Sequence, residues 1–159
     1  MILTGIITVS DRASQGIYED LGGPAVAKAA TEAGFQVHAE VIVADDQRAI
    51  ARAISSLSAQ GCGLILSTGG TGIAARDVTP EAIRSIMRVE LPGFGEVMRQ
   101  RSMAITPNAI LSRCMAAVVE QSLVIALPGK PQGAVDCFGF VLGAIPHAVK
   151  LAQRVTTSC

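Results

Sequence analysis

The chain has 159 residues, 50% of them apolar, and its 16% charged side chains divide into 13 basic and 13 acidic. That length suits one domain with its own core, and the composition excludes a disordered segment. Balanced charge gives no global basic field for nucleic acid or an acidic membrane, and 3% aromatics without Trp leave little for base stacking.

Residues 2–9 form an apolar, β-branched run that ends at Ser10-Asp11-Arg12, as a buried parallel strand should. Pro24 opens a helix and Gly34 closes it around an Ala-rich segment. Residues 35–43 alternate (Phe35, Val37, Ala39, Val41, Val43) as a second strand. Asp45 or Asp46 then caps a helix whose apolar face is Ile50, Ala53, Ile54 and Leu57, and Gly61 ends it. A third strand over 63–68 runs straight into Gly69-Gly70-Thr71-Gly72. Thr79-Pro80-Glu81 is a helix start, with a hydroxyl cap, Pro in the first position and an acid in the first turn.

Leu91-Pro92-Gly93 breaks the chain before a helix over 94–103. Two apolar runs, 115–119 and 123–127, flank Glu120-Gln121-Ser122 as a hairpin or as neighbouring strands. Pro128-Gly129-Lys130-Pro131 follows, and then Val135, Phe138, Val141, Leu142 and Ile145 lie on one helical stripe. Gly139 and Gly143 allow another helix to approach closely or pack inside the monomer, the latter being the expected use. The alternation of strands and helices predicts one domain over 1–159, a three-layer αβα fold with a mostly parallel central sheet.

No basic leader precedes the first strand, so the expected location is the cytoplasm. Mean hydropathy is +0.45, yet the most lipid-like stretch, 137–151, contains Pro146, His147 and Lys150 and is too short to span a bilayer. Cys62, Cys114, Cys137 and Cys159 make no C-x-x-C pair and read as buried or incidental thiols. His38 and His147 give little basis for a zinc site or a serine triad.

In an open α/β sheet, ligands sit beyond the carboxyl ends of the strands. The loops leaving those ends carry Ser10, Asp45, Asp46, Thr68, Gly69, Gly70, Thr71, Gly72, Pro128, Gly129 and Lys130. Glycines let a backbone approach an anion, and their amides can cradle phosphate oxygens. Asp45, Asp46 and Asp77 are hard oxygen ligands suited to Mg²⁺, while Arg12, Arg76 and Lys130 can neutralise phosphate. Each component also has an ordinary role as turn, cap or solvated charge. Their conjunction on one edge points to phosphoryl or nucleotidyl transfer. Ser102, Asn108, Ser112 and Arg113 could line a substrate pocket, though loop solvation accounts for them as well.

Two common nucleotide motifs do not fit. A P-loop needs Gly-Lys-Ser/Thr, whereas Gly129-Lys130 is followed by Pro131. Gly70-Thr71-Gly72-Ile73-Ala74-Ala75 spells G-x-G-x-x-A, but the next clear helix start is Thr79-Pro80, several residues too late for a dinucleotide fingerprint.

Five motifs occur in order: Ser10-Asp11-Arg12-Ala13-Ser14, Thr68-Gly69-Gly70-Thr71-Gly72, Arg76-Asp77-Val78-Thr79-Pro80-Glu81-Ala82, Leu91-Pro92-Gly93-Phe94-Gly95-Glu96 and Leu127-Pro128-Gly129-Lys130-Pro131. Together they resemble the MoaB/Mog family of molybdenum-cofactor biosynthesis, specifically its molybdopterin adenylyltransferases, over residues 2–151. The resemblance implies transfer of AMP from ATP to molybdopterin with Mg²⁺ and release of pyrophosphate. It also implies a homotrimer or hexamer and a downstream molybdenum insertase as partner. The family's two essential aspartates match Asp45 and Asp77, with Asp46 leaving the first position ambiguous. Its substrate loops match 68–72 and 128–131. A non-catalytic molybdopterin-binding scaffold is the alternative, and an ATP-hydrolysing relative is a third reading.

Overall fold

A computed structural model describes residues 1–153. Cys159, grouped above with the buried or incidental thiols, lies outside the described residues, as does the end of the expected domain. Six strands form one sheet in the order β2-β1-β3-β6-β5-β4. They are β1 (Leu3–Val9), β2 (Gln36–Val43), β3 (Leu64–Thr68), β4 (Val89–Glu90), β5 (Met115–Val119) and β6 (Ser122–Leu127). The pairs β1–β2, β1–β3 and β3–β6 are parallel, whereas β5 runs antiparallel to both β6 and β4. The 115–127 segment is thus a hairpin, closed by Glu120 at φ 51°. Strands β1, β2, β3 and β6 point their carboxyl ends the same way.

Seven α-helices cover the faces of the sheet among the described residues: α1 (Asp11–Ser14), α2 (Gly22–Glu32), α3 (Gln47–Ala59), α4 (Thr79–Ile86), α5 (Pro92–Met103), α6 (Pro131–Val141) and α7 (Ile145–Gln153). One core cluster gathers Ile6, Leu64, Leu66 and Leu123 under Val26 and Ala30 of α2, Met98 of α5 and Phe138 of α6. The opposite face gathers Ile7, Ile65 and Val124 under Ile50, Ile54 and Leu57 of α3 and Ile83 of α4. Because β3 is covered on both faces, Leu64, Ile65 and Leu66 are all fully buried despite pointing alternately. Ile50 and Ile54 are equally buried, each contributing about 1.5–3 kcal/mol relative to exposure.

The alternation read in 35–43 has a different cause. β2 is an edge strand whose residues alternate between exposed and half-buried. The connection from β1 to β2 crosses one face through α2, and that from β2 to β3 crosses the other through α3. The order in which strands are added to the sheet therefore reverses between β1 and β3, which opens a crevice at their carboxyl ends.

Three local expectations are corrected. Thr79 is inside α4 rather than its cap, which is Val78, and the Thr79 hydroxyl donates to the Gly69 carbonyl at 2.9 Å. The last helical stripe is broken by a 3₁₀ turn at Leu142–Ala144, so α6 and α7 are separate helices. Gly139 and Gly143 do not pack inside the monomer, since a Cβ at either would meet nothing within 4 Å. The 23-residue stretch Pro131–Gln153 is long and apolar enough to cross a membrane by length and composition. Here Ala134, Cys137, Phe138, Val141, Ile145 and Val149 face the protein's own core.

Candidate active site

A cavity of about 300 Å³ lies at the crevice, lined by residues of four strand exits. Ser10, Asp45, Thr68, Gly69, Gly70, Asp77 and Gly129 all contribute to its wall. The glycine turn forms the floor. Gly69 has φ 103° and Gly70 φ 67°, a region that side chains other than glycine rarely adopt. A Cβ on Gly69 would stand 2.2 Å from the Val9 carbonyl oxygen, and one on Gly70 2.4 Å from Thr79 Oγ1. Glycine is therefore demanded here by the protein's own packing. The Gly69 amide donates to the Leu127 carbonyl at 3.2 Å, so it is not available to a phosphate. Among the described residues, the amides of Gly70, Thr71 and Gly72 donate to no protein acceptor.

The two aspartates meet at this turn. A Cβ on Gly70 would be 3.3 Å from Asp45 Oδ1, and one on Gly72 2.7 Å from Asp77 Oδ2. Helix geometry separates Asp45 from Asp46. Asp46 is the α3 N-cap, with Oδ1 accepting the Ala49 amide at 2.8 Å, which stabilises the helix by about 1 kcal/mol. Asp45, one residue earlier, is left for the cavity. Its Oδ2 accepts the Asp11 amide at 2.8 Å, and its own amide donates to Asp11 Oδ1 at 3.0 Å. Asp77 Oδ2 accepts the Ala74 amide at 2.9 Å. Both Oδ1 atoms accept no hydrogen bond among the described residues.

Charge is unevenly compensated across this wall. Burial pushes the Asp45 carboxyl above its ordinary value, the Asp11 amide opposes that, and the negative charges of Asp11 and Asp77 add to it. The Arg76 hydrogen bond holds Asp11 below its ordinary value. Arg76 donates from Nε and Nη2 to the two Asp11 oxygens, each at 2.8 Å. The sequence suggests Arg76 as a countercharge for phosphate; in this structure its guanidinium pairs with Asp11. Arg12 lies over the Tyr18 ring, 5.3 Å from its centroid.

The remaining expected residues divide. The Ser10 hydroxyl accepts the Ala13 amide at 3.1 Å as the α1 cap while lining the cavity. Thr68 Oγ1 donates to the Pro128 carbonyl at 2.7 Å, tying the β3 exit to the β6 exit. Thr71 is buried away from the cavity beside Cys114, and Gly72 touches Asp77 without lining it. Lys130 is exposed between Gly129 and Pro131, which both line the wall, and it has no acidic partner among the described residues.

Sequence reasoning missed Asp20. Its Oδ1 accepts the Gly22 and Gly23 amides, both at 3.0 Å, and its Oδ2 accepts the Thr8 hydroxyl at 2.6 Å. An Asp just before Gly22-Gly23-Pro24 is a readable capping signal for α2.

Among the described residues no activated nucleophile is offered. Burial raises the thiols of Cys62, Cys114 and Cys137 above their ordinary value, and His38 pairs with Gln60 on the surface. Among the described residues no cluster of three His, Cys, Asp or Glu assembles. Two carboxylates with free Oδ1 atoms on one wall suit a hard cation such as Mg²⁺, which binds by one or two carboxylates together with substrate phosphates. The donor set fits.

Residues 5–147 match the family model described as "Probable molybdopterin binding domain". A molybdopterin adenylyltransferase of Helicobacter pylori J99 is 44% identical over 151 residues, which span 92% of this chain and 85% of that one. The Escherichia coli K12 molybdopterin adenylyltransferase is 38% identical over 165 residues, 94% of this chain and 84% of its own. The crystal structure of the molybdopterin biosynthesis enzyme MoaB from Thermus thermophilus superposes with a TM-score of 0.90 at 38% identity, covering 96% of this chain and 97% of that chain.

Proposed function

This chain belongs to the molybdopterin-binding domain family, and from that premise we propose that it is a molybdopterin adenylyltransferase of molybdenum-cofactor biosynthesis. The observation that carries the reading is the convergence of Asp45 and Asp77, from two separate loops, on one glycine turn at the mouth of one cavity. In this reaction the terminal phosphate of molybdopterin attacks the α-phosphorus of ATP. A new P–O bond forms, the bond to the β-phosphate breaks, and pyrophosphate leaves with that electron pair. The attacking oxygen is already anionic, so the chain needs no nucleophile or general base of its own. Positioning and charge neutralisation remain as its tasks.

Asp45 and Asp77 would hold Mg²⁺, which when bound supplies positive charge to the triphosphate. The Gly70 amide, at the cavity wall and without a protein acceptor among the described residues, would receive a phosphate oxygen, and Lys130 is a cation at the rim without an acidic partner among the described residues. Thr68 and Asp20 keep the β3, β6 and α2 edges of the cavity in place. The finer reading is a cytoplasmic homotrimer or hexamer that delivers its product to a molybdenum insertase. It is supported by the motif resemblance and by exposed apolar residues such as Ile105, Ile110 and Leu111.

Incubation with ATP, Mg²⁺ and molybdopterin is the test. Stoichiometric adenylylated molybdopterin and pyrophosphate are expected. Tight pterin binding without turnover would replace the reading with a scaffold, and AMP release without pterin would replace it with a hydrolase. Mass measurement in solution tests the oligomer.

A further inference from the structure

We propose that Arg113 is a positioning residue for the transfer: its guanidinium fills the inside of the 71–81 loop and sets where Asp77 and the glycine turn stand relative to each other. The inference rests on the adenylyltransferase reading only for its kinetic consequence, not for its geometry.

Four groups meet Arg113 along that loop. Its amide donates to the Thr71 carbonyl at 2.8 Å. Nε donates to the Gly72 carbonyl at 2.7 Å, Nη2 donates to the Asp77 carbonyl at 2.7 Å, and Nη1 pairs with Glu81 Oε1. One planar side chain thus spans the carbonyls of two residues that bracket the loop and fastens both to the first turn of α4. The loop has little else to hold it, because Ile73, Ala74, Ala75 and Arg76 are exposed. Its other bonds are Asp77 to Ala74, Thr79 to Gly69 and Gly70, the Cys114 thiol to the Thr71 hydroxyl, and the solvent-exposed pair of Arg76 with Asp11, which holds the outside of the loop rather than its inside.

The shape of the task selects arginine. Three acceptors lie around the planar head, and a guanidinium offers five fixed N–H donors and keeps its charge at all working pH values. A lysine ammonium is a point donor and cannot reach all three acceptors at these distances. Arg113 itself does not line the cavity, so it acts through Asp77 and Gly72. A shift of a carboxylate by about 1 Å can cost on the order of 100-fold in rate.

Hydrogen exchange and kinetics on Arg113→Gln and Arg113→Lys test this, with Arg84→Gln as control, because Arg84 pairs with Glu90 away from the cavity. In both Arg113 variants the Ala74, Asp77 and Thr79 amides should exchange at least tenfold faster, while amides of β1, β3 and β6 keep their protection. Per folded molecule, kcat should fall at least tenfold and half-saturation by Mg²⁺ should move to higher concentration, with the KM for molybdopterin changed less than twofold. Arg84→Gln should leave all of these unchanged. Unaltered exchange at 74–79 in a folded Arg113 variant overturns the proposal, as does unaltered Mg²⁺ half-saturation. Should Arg113→Gln fail to fold, Glu81→Gln loosens the same clamp and must show the same pattern in smaller measure. If the unsubstituted protein makes no adenylylated product, the functional reading fails while the exchange result still decides the clamp.

Discussion

The two carboxylates that line the cavity beside the glycine turn are anchored by different means. Asp45 is held through a reciprocal pair of bonds with Asp11, which is itself held by the guanidinium of Arg76. Asp77 is held through backbone: its Oδ2 takes a nearby amide, and its carbonyl and neighbours are gripped by Arg113 and by Thr79 on the glycine turn. One side depends on ionisation at the surface. The other depends on chain conformation. The contrast teaches that solution conditions should act mainly on the first side, and steric changes on the second.

The largest effect is expected at the glycine turn. Gly69→Ala combines a positive φ of 103° with a Cβ 2.2 Å from the Val9 carbonyl oxygen, so it should lower stability by more than about 2 kcal/mol in chemical denaturation. Near wild-type stability there would mean that the Asp77 side is less rigid than its bonds suggest.

Next come the aspartates themselves. Asp77→Asn and Asp45→Asn should each lower kcat by about 100-fold or more, in the range of losing a key electrostatic group. The two variants should differ in stability, because the Asp45 charge stands where the folded protein disfavours it. Asp45→Asn should melt at or above the wild-type temperature at pH 7. A clear fall in Tm would show that the Asp45 charge is compensated in the free protein.

Acid titration separates the two signs on the Asp45 side. The folded value of Asp11 is depressed below its ordinary 3.8, so its stabilisation is present above 3.8 and fades as pH falls through the lower folded value. The folded value of Asp45 is raised above the same 3.8. Its contribution is full below 3.8 and fades as pH rises through the folded value. The Tm gap between wild type and Asp11→Asn should therefore close in acid, and any advantage of Asp45→Asn should grow toward neutrality. Parallel curves for the two variants would contradict this.

The smallest effect is expected for Arg76→Ala. The pair is open to solvent, with 67% of the Arg76 side chain and 30% of Asp11 accessible. Its loss should lower Tm by no more than a few degrees and become undetectable in high salt, where the charges are screened.

Much of this arrangement was readable from the chain. Periodic apolar runs predict the strands and helices, and the rule for parallel sheets points to the exits of β1, β2, β3 and β6, where the cavity lies. Side-chain partnerships across long stretches of sequence were not readable. Arg76 and Asp11 are 65 positions apart, and nothing in either neighbourhood marks them as partners. The same holds for Arg113, whose acceptors are mostly backbone carbonyls. Thr79 looked like a cap because Thr before Pro usually is one; its hydroxyl is instead drawn to the Gly69 carbonyl exposed by the left-handed turn. Asp45 and Asp46 are told apart by the cap bond from the Ala49 amide to Asp46, because by residue type either could end the loop.

The mutual Asp11–Asp45 bridge has a consequence for ligand entry. Two chain segments that would otherwise each wander are joined into one unit before anything arrives. On the proposed reading, a nucleotide docking against that lip would meet a surface already ordered, and less conformational freedom would be surrendered at the moment of capture.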